Sequence, residues 1–151
     1  MKKIFIILIY FLTSCGYQPM YVNNSYNEVS FKEIKLLGDK RINRQVMSAL
    51  LIKEDQYNDI LNNLTLNSEE IISETSKDAK GQVTTYRTTI ILKYIVTNNN
   101  KIISEKIFNK DFSYNKKDNK FDLVEYQKEI KTSLVNEIIE ELIIFINLND
   151  N

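Results

Sequence analysis

Hydrophobic and polar positions alternate most regularly between Val83 and Val96. Tyr86, Thr88, Ile90, Leu92, Tyr94 and Val96 share one side of this run, and Thr85, Arg87, Thr89, Ile91, Lys93 and Ile95 share the other. A period of two puts successive side chains on opposite faces of a strand, and β-branched and aromatic residues suit that surface. Asn98-Asn99-Asn100 follows. Asparagine tolerates left-handed backbone angles, so the chain turns there and Lys101 to Tyr114 returns as the partner strand of a long hairpin.

Upstream, Val29, Phe31 and Glu33 alternate with Ser30, Lys32 and Ile34 before Ile34-Lys35-Leu36-Leu37, which reads as a short strand ended by Gly38-Asp39. Asp39 suits the cap of a following helix. From Arg41 to about Lys53, Ile42, Val46, Ala49, Leu50 and Lys53 recur at spacings of three and four, the period of an amphipathic helix with its stripe in the core. Asn62 to Thr75 has a mixed period and reads as a second strand, with a bulge near Glu69-Glu70. After a loop over Asn115 to Lys120, Phe121 to Ile146 predicts a long helix whose stripe runs Leu123, Tyr126, Ile130, Leu134, Ile138, Leu142 and Phe145.

The order is therefore β-α-β-β-β-α, with no internal repeat and no linker. That predicts an α+β class: one two-layer domain over residues 29–151, a mixed four-stranded sheet with two helices packed on one face. A strand-helix-strand unit makes a right-handed parallel crossover, whereas short turns make antiparallel neighbours. The second face of the sheet is left open for a partner or ligand.

Composition narrows what such a domain does. At 151 residues the chain is the size of one domain, and 20 Lys+Arg against 20 Asp+Glu leaves no field to steer nucleic acid. There is no His and a single Cys, so Ser-His-Asp triads and Cys/His zinc sites are excluded, and no metal is expected. Glu69-Glu70 and Glu140-Glu141 are neighbours whose side chains diverge, Glu137 and Glu141 lie on the exposed side of the helix, and Ser68, Ser73 and Ser113 have no base partner. No catalytic residue is expected and the protein is not read as an enzyme. The bias to 17 Lys over 3 Arg, beside many Ile and Asn, reads as genome composition, so single lysines carry little weight.

The amino terminus changes the picture most. Met1-Lys2-Lys3 is basic, Ile4 to Leu12 is an unbroken apolar run, and Thr13-Ser14-Cys15 follows. This reads as a signal peptide over residues 1–14, the run being too short to span about 30 Å of hydrocarbon. Leu12-Thr13-Ser14-Cys15 resembles the bacterial lipobox, which makes Cys15 the lipidated first residue of a mature chain; no cofactor is expected beyond that covalent lipid, with palmitate among its acyl chains. Gly16, not an aspartate, follows the cysteine, which by the same resemblance implies the outer membrane, on its periplasmic side. Residues 15–28 then form an extended tether, where Tyr17, Tyr21 and Tyr26 pack on the domain or lie at the membrane boundary.

Cys15-Gly16-Tyr17-Gln18-Pro19-Met20-Tyr21, with Gly81-Gln82, the Tyr86 strand, the return strand and the closing helix, resembles the alphaproteobacterial form of the LptE family of lipopolysaccharide-assembly lipoproteins. Departures lie in the last helix, where Ile138, Ile139, Ile143 and Ile144 stand in place of several alanines. The resemblance implies a four-stranded sheet with two helices and a non-catalytic plug inside the LptD outer-membrane β-barrel that helps place lipopolysaccharide in the outer leaflet. Arg87, Thr89 and Lys93 on the open face would then meet the polar barrel wall. Hairpin topology puts the turn before Val83 and the loop after Tyr114 at one end of the sheet, gathering Lys77, Lys80, Lys116, Lys117 and Lys120 against Asp78 and Asp118. Ammonium groups bind lipid phosphates as point charges, and the resemblance favours Lys80 at the hairpin tip. The alternative reading is a periplasmic accessory lipoprotein of another envelope transport system.

Overall fold

The computed structural model describes residues 29–149. The signal peptide, Cys15, the tether with its three tyrosines and the opening motif lie outside these residues. The elements are β1 (Ser30–Phe31), β2 (Glu33–Gly38), α1 (Lys40–Ala49), β3 (Lys53–Glu54), β4 (Asn63–Lys77), β5 (Val83–Asn98), β6 (Lys101–Asn115) and α2 (Lys120–Asn149). The four long strands form a sheet in the order β2-β4-β5-β6, parallel between β2 and β4 and antiparallel elsewhere. The expected α+β architecture, with both helices covering one face, is what the chain adopts.

The even-numbered side of β5 is the buried one. Thr88, Ile90, Leu92, Tyr94 and Val96 join Leu64, Leu66 and Ser68 of β4 and Phe108 and Tyr114 of β6 beneath Ile42 and Val46 of α1 and Ile130, Leu134, Val135, Ile138 and Leu142 of α2. At the turn, Asn99 and Asn100 both take positive φ, 47° and 64°. A register shift at Val96/Thr97 then leaves Ile103 unpaired and sets Leu92 against Phe108 and Tyr86 against Tyr114. This bulge returns the inward positions of β6 to the helix-covered face.

Three boundaries differ from the sequence reading. α1 stops at Ala49 because Leu50 and Ile52 are both buried, and the intervening Leu51 takes a left-handed φ of 51° to let them be. Ala49 is thus exposed, and Lys53 belongs to β3, which pairs in parallel with β1 as a separate two-residue ribbon. Pairing runs unbroken through Glu69-Glu70, and the irregularity falls instead at Glu74/Ser76.

One junction holds three elements together. Gly38, at φ 78°, ends β2 opposite Ser68, whose carbonyl accepts the Asp39 amide at 2.9 Å. The Asp39 carboxylate caps α1, accepting from the amides of Arg41 (2.7 Å) and Ile42 (3.2 Å), and Ser68 Oγ donates to its carbonyl at 3.0 Å. Lys131 of α2 donates to Asp39 at 2.7 Å and to Glu70 of β4 at 2.6 Å. Partial burial alone would raise the Asp39 pKa, but the Lys131 hydrogen bond, the two amides and the lysine charge outweigh it and hold the carboxyl below its ordinary value. Burial likewise opposes the Lys131 charge and is outweighed by its two carboxylates, so the ammonium is held above its ordinary value.

β2 covers β4 only as far as Ser68, so among the described residues no strand pairs with the outer edge of β4 from Glu69 to Lys77, nor with that of β6.

Candidate functional site

β4 and β6 run toward the same end of the sheet, where Lys77 pairs with Val83 and Thr85 with Asn115. The β4–β5 turn is built by Asp78, whose carboxylate accepts from the amides of Lys80 (2.9 Å) and Gln82 (2.8 Å), while Gly81 supplies a φ of 78°. The loop after β6 is tied to the start of β5 by the Lys116 amide, which donates to the Thr84 carbonyl at 2.8 Å. Asn119 then caps α2, its side chain accepting from the Phe121 amide at 2.9 Å. Both lysine-bearing loops therefore border the same end.

The five lysines differ in state. Lys77 is held by Glu74 at 3.2 Å, and the Lys117 ammonium lies 4.7 Å above the centre of the Tyr126 ring. Lys80, Lys116 and Lys120 form no ion pair among the described residues. Glu74, and Asp122 in the first turn of α2, add to Asp78 and Asp118, so the positive excess is smaller than the five lysines alone suggest. Asp122 also belongs electrostatically to the positive helix end it occupies.

Below these loops sits an aromatic cluster that the periodicity did not single out. Tyr86 stacks on Tyr114 with ring centres 6.0 Å apart, and Tyr114 meets Tyr126 edge-on at 5.7 Å. The buried Tyr114 hydroxyl lies 3.1 Å from Thr88 Oγ1 and accepts from Gln127 Nε2 at 2.9 Å. Tyr126 also borders a groove of about 280 Å³ along α2, lined by Phe112, Ile130 and Leu134 and edged by Glu129, Ser133 and Glu137. The groove thus joins an apolar floor to an acidic rim, with the Lys117 ammonium above Tyr126 at its edge. Replacing Tyr114 with Phe leaves Thr88 without its one side-chain partner, and we expect a loss of about 1–2 kcal/mol in urea unfolding with the fold retained.

On the open face, Arg87, Thr89 and Lys93 lie in line along β5 as expected. The two cations are matched across the strands: Arg87 Nε donates to Ser113 Oγ at 3.0 Å and stands 3.5 Å from Asp111, and Lys93 meets Glu105 at 2.6 Å. Leu37 and Ile107 stand exposed on the same face. It is a mixed surface of paired charges and aliphatic side chains, which suits a polar wall better than a polyanion.

No three His, Cys, Asp or Glu residues among those described are placed to hold a metal ion. No helix among them is long and apolar enough to cross a membrane.

No protein-family profile matches the chain, and no curated protein sequence is significantly similar to it. Solved structures are similar in fold. The rare lipoprotein B from Shewanella oneidensis is 11% identical, with a TM-score of 0.59 over 78% of this chain and 96% of that one. A minor lipoprotein from Acinetobacter baumannii is 12% identical, with a TM-score of 0.54 over 81% and 95%. The uncharacterized lipoprotein B from Nitrosomonas europaea is 6% identical, with a TM-score of 0.54 over 83% and 88%.

Proposed function

We propose that the chain is a lipid-anchored lipoprotein of the Gram-negative envelope that acts as an LptE-like plug, partnering the LptD β-barrel and assisting lipopolysaccharide transport to the outer leaflet. The observation that carries this reading is a fold shared with three lipoproteins on a chain whose own sequence has Cys15 directly after an apolar leader. In this role the protein catalyses nothing. It is anchored through Cys15 to the outer membrane, faces the periplasm, and binds no nucleic acid. The matched charges around Arg87, Thr89 and Lys93 face the lumen wall, and the end bearing Lys77, Lys80, Lys116, Lys117 and Lys120 meets lipid A phosphates, with the groove at Tyr126 beside them.

A mild-detergent pull-down of the tagged, lipidated protein from its own outer membrane, read by mass spectrometry, tests the partnership. A large β-barrel at near-equal stoichiometry is the expected result; recovery with inner-membrane transport components instead would support the accessory-lipoprotein reading and remove the plug.

The binding end has its own test. Lys80→Glu together with Lys117→Glu is expected to weaken lipopolysaccharide capture at least several-fold, while unfolding moves by less than about 1 kcal/mol because both positions are exposed and only the ring contact of Lys117 is lost. Undiminished capture by the folded double variant would rule these lysines out.

A further inference from the structure

We propose that the end of the sheet opposite the lysines seats directly on a lipid surface, its exposed apolar side chains entering the headgroup region beside the anchor. This inference rests on the lipid-anchor reading of Cys15. The chain enters the domain here: Val29 accepts the Lys53 amide at 3.0 Å and lines, with Ile60, Ile103, Phe145 and Ile146, a cleft of about 330 Å³. β2 and β4 begin at this end, the Asn99-Asn100 turn closes it, and α2 finishes there.

It is also where apolar side chains are least covered. Of the four large hydrophobic residues more than 70% exposed among the described residues, Tyr57 at 99%, Ile60 at 88% and Leu148 at 73% belong to it, and Phe121 lies at the lysine end. Ile103, which lines the same cleft as Ile60, and Ile102 beside the Asn99-Asn100 turn are each more than half exposed. Leaving such side chains in water is unfavourable, and clustered exposure of this kind marks a contact surface.

The position of the patch selects a lipid surface as the occupant. Residues 16–28 reach at most roughly 45 Å when fully extended, so a Cys15 anchor holds the point where the chain enters this end within that distance of the bilayer. Charge at this end is close to balanced: Lys32 and Asp59 pair at 2.5 Å, and Lys53 and Lys101 stand against Glu33, Glu54 and Asp55, leaving it slightly acidic. Aromatic and aliphatic side chains with few net charges partition into the interface by burying apolar area. Seating there points the lysine end away from the anchoring leaflet.

The test uses lipidated protein reconstituted in phosphatidylethanolamine–phosphatidylglycerol vesicles. Because Cys15 is the only cysteine and is acylated, a cysteine introduced by Tyr57→Cys, Leu148→Cys or, as the control at the lysine end, Ala79→Cys is the single site for a fluorophore. Nitroxide groups on the lipid acyl chains are expected to quench labels at 57 and 148 several-fold more than the label at 79, with aqueous iodide showing the reverse order. Equal quenching at all three positions on vesicle-bound protein would overturn the seating alone. Shielding of 57 and 148 from lipid and iodide alike would overturn it in favour of contact between copies, and failure of the protein to float with vesicles would overturn the anchor and the seating together.

Discussion

Gly38→Ala is expected to cost at least about 3 kcal/mol, a large part of the roughly 5–15 kcal/mol that holds a domain of this size together. A Cβ built at position 38 would stand 1.9 Å from the Ser68 carbonyl oxygen and 2.9 Å from its carbon, both backbone atoms of the paired strand. Neither can rotate away as a side chain would. The φ of 78° adds about 1–2 kcal/mol for any L-residue with a side chain. Gly81 is the internal comparison, since it has the same φ of 78° and nothing within 4 Å of its added Cβ. Gly81→Ala should therefore cost only the backbone share, about 1 kcal/mol. Urea midpoints for the two variants decide the matter, and a difference of less than 1 kcal/mol between them would remove the steric argument.

Lys131→Met is the second large effect, expected at about 2–4 kcal/mol. The ammonium joins Asp39 and Glu70 at 2.7 and 2.6 Å, with all three side chains a quarter exposed or less. Without it, two carboxylates face each other at a helix cap. The pH dependence has a definite sign. Asp39 titrates below the unfolded value of about 3.9, so its contribution is complete above that pH and is lost as pH falls through the folded value. Lys131 titrates above about 10.4, so its contribution is complete below that pH and is lost as pH rises through the folded value. Between these limits neither group makes stability vary with pH. In Lys131→Met the alkaline loss disappears and the acid response moves to higher pH, because the Asp39 carboxyl loses the hydrogen bond and the charge that help to hold it low. Melting temperatures of both proteins between pH 3 and 8 should therefore converge toward acid; parallel curves would refute the coupling.

The hairpin was legible because its pattern is local. Val83 to Val96 alternates without a break, and Asn99-Asn100 takes the left-handed angles that asparagine allows, so β5 and β6 fall within two residues of their expected bounds. The spacing around α1 predicts a longer helix because Leu50 keeps the helical period although the helix has ended at Ala49. What stops it is the burial of both Leu50 and Ile52, a tertiary demand with no local signature. β1 and β3 are two residues each, too short to show a period.

The candidate site was legible in part for the same reason. Counting outward from the Asn99-Asn100 turn without a bulge sets Tyr86 against Ser113, and only the extra residue at Ile103 brings Tyr114 opposite it. The tyrosine cluster under the lysines was hidden by that single offset. Lys131, Asp39 and Glu70 come from three elements as far as 92 residues apart, and no spacing announces them.

The two bare strand edges carry a consequence for how the domain meets other molecules. Along β6 the exposed edge bears Lys101, Glu105, Lys106, Lys110 and Asp111 and is offset at Ile103; along the uncovered half of β4 it bears Glu69, Glu70, Glu74 and Lys77. Charged side chains and a break in the ladder discourage an incoming strand from extending the sheet. An extended segment of another protein is thereby kept from adding itself to the sheet at either edge. The surfaces left for contact are then the ends and the flat face of the sheet, which present side chains and not unsatisfied backbone.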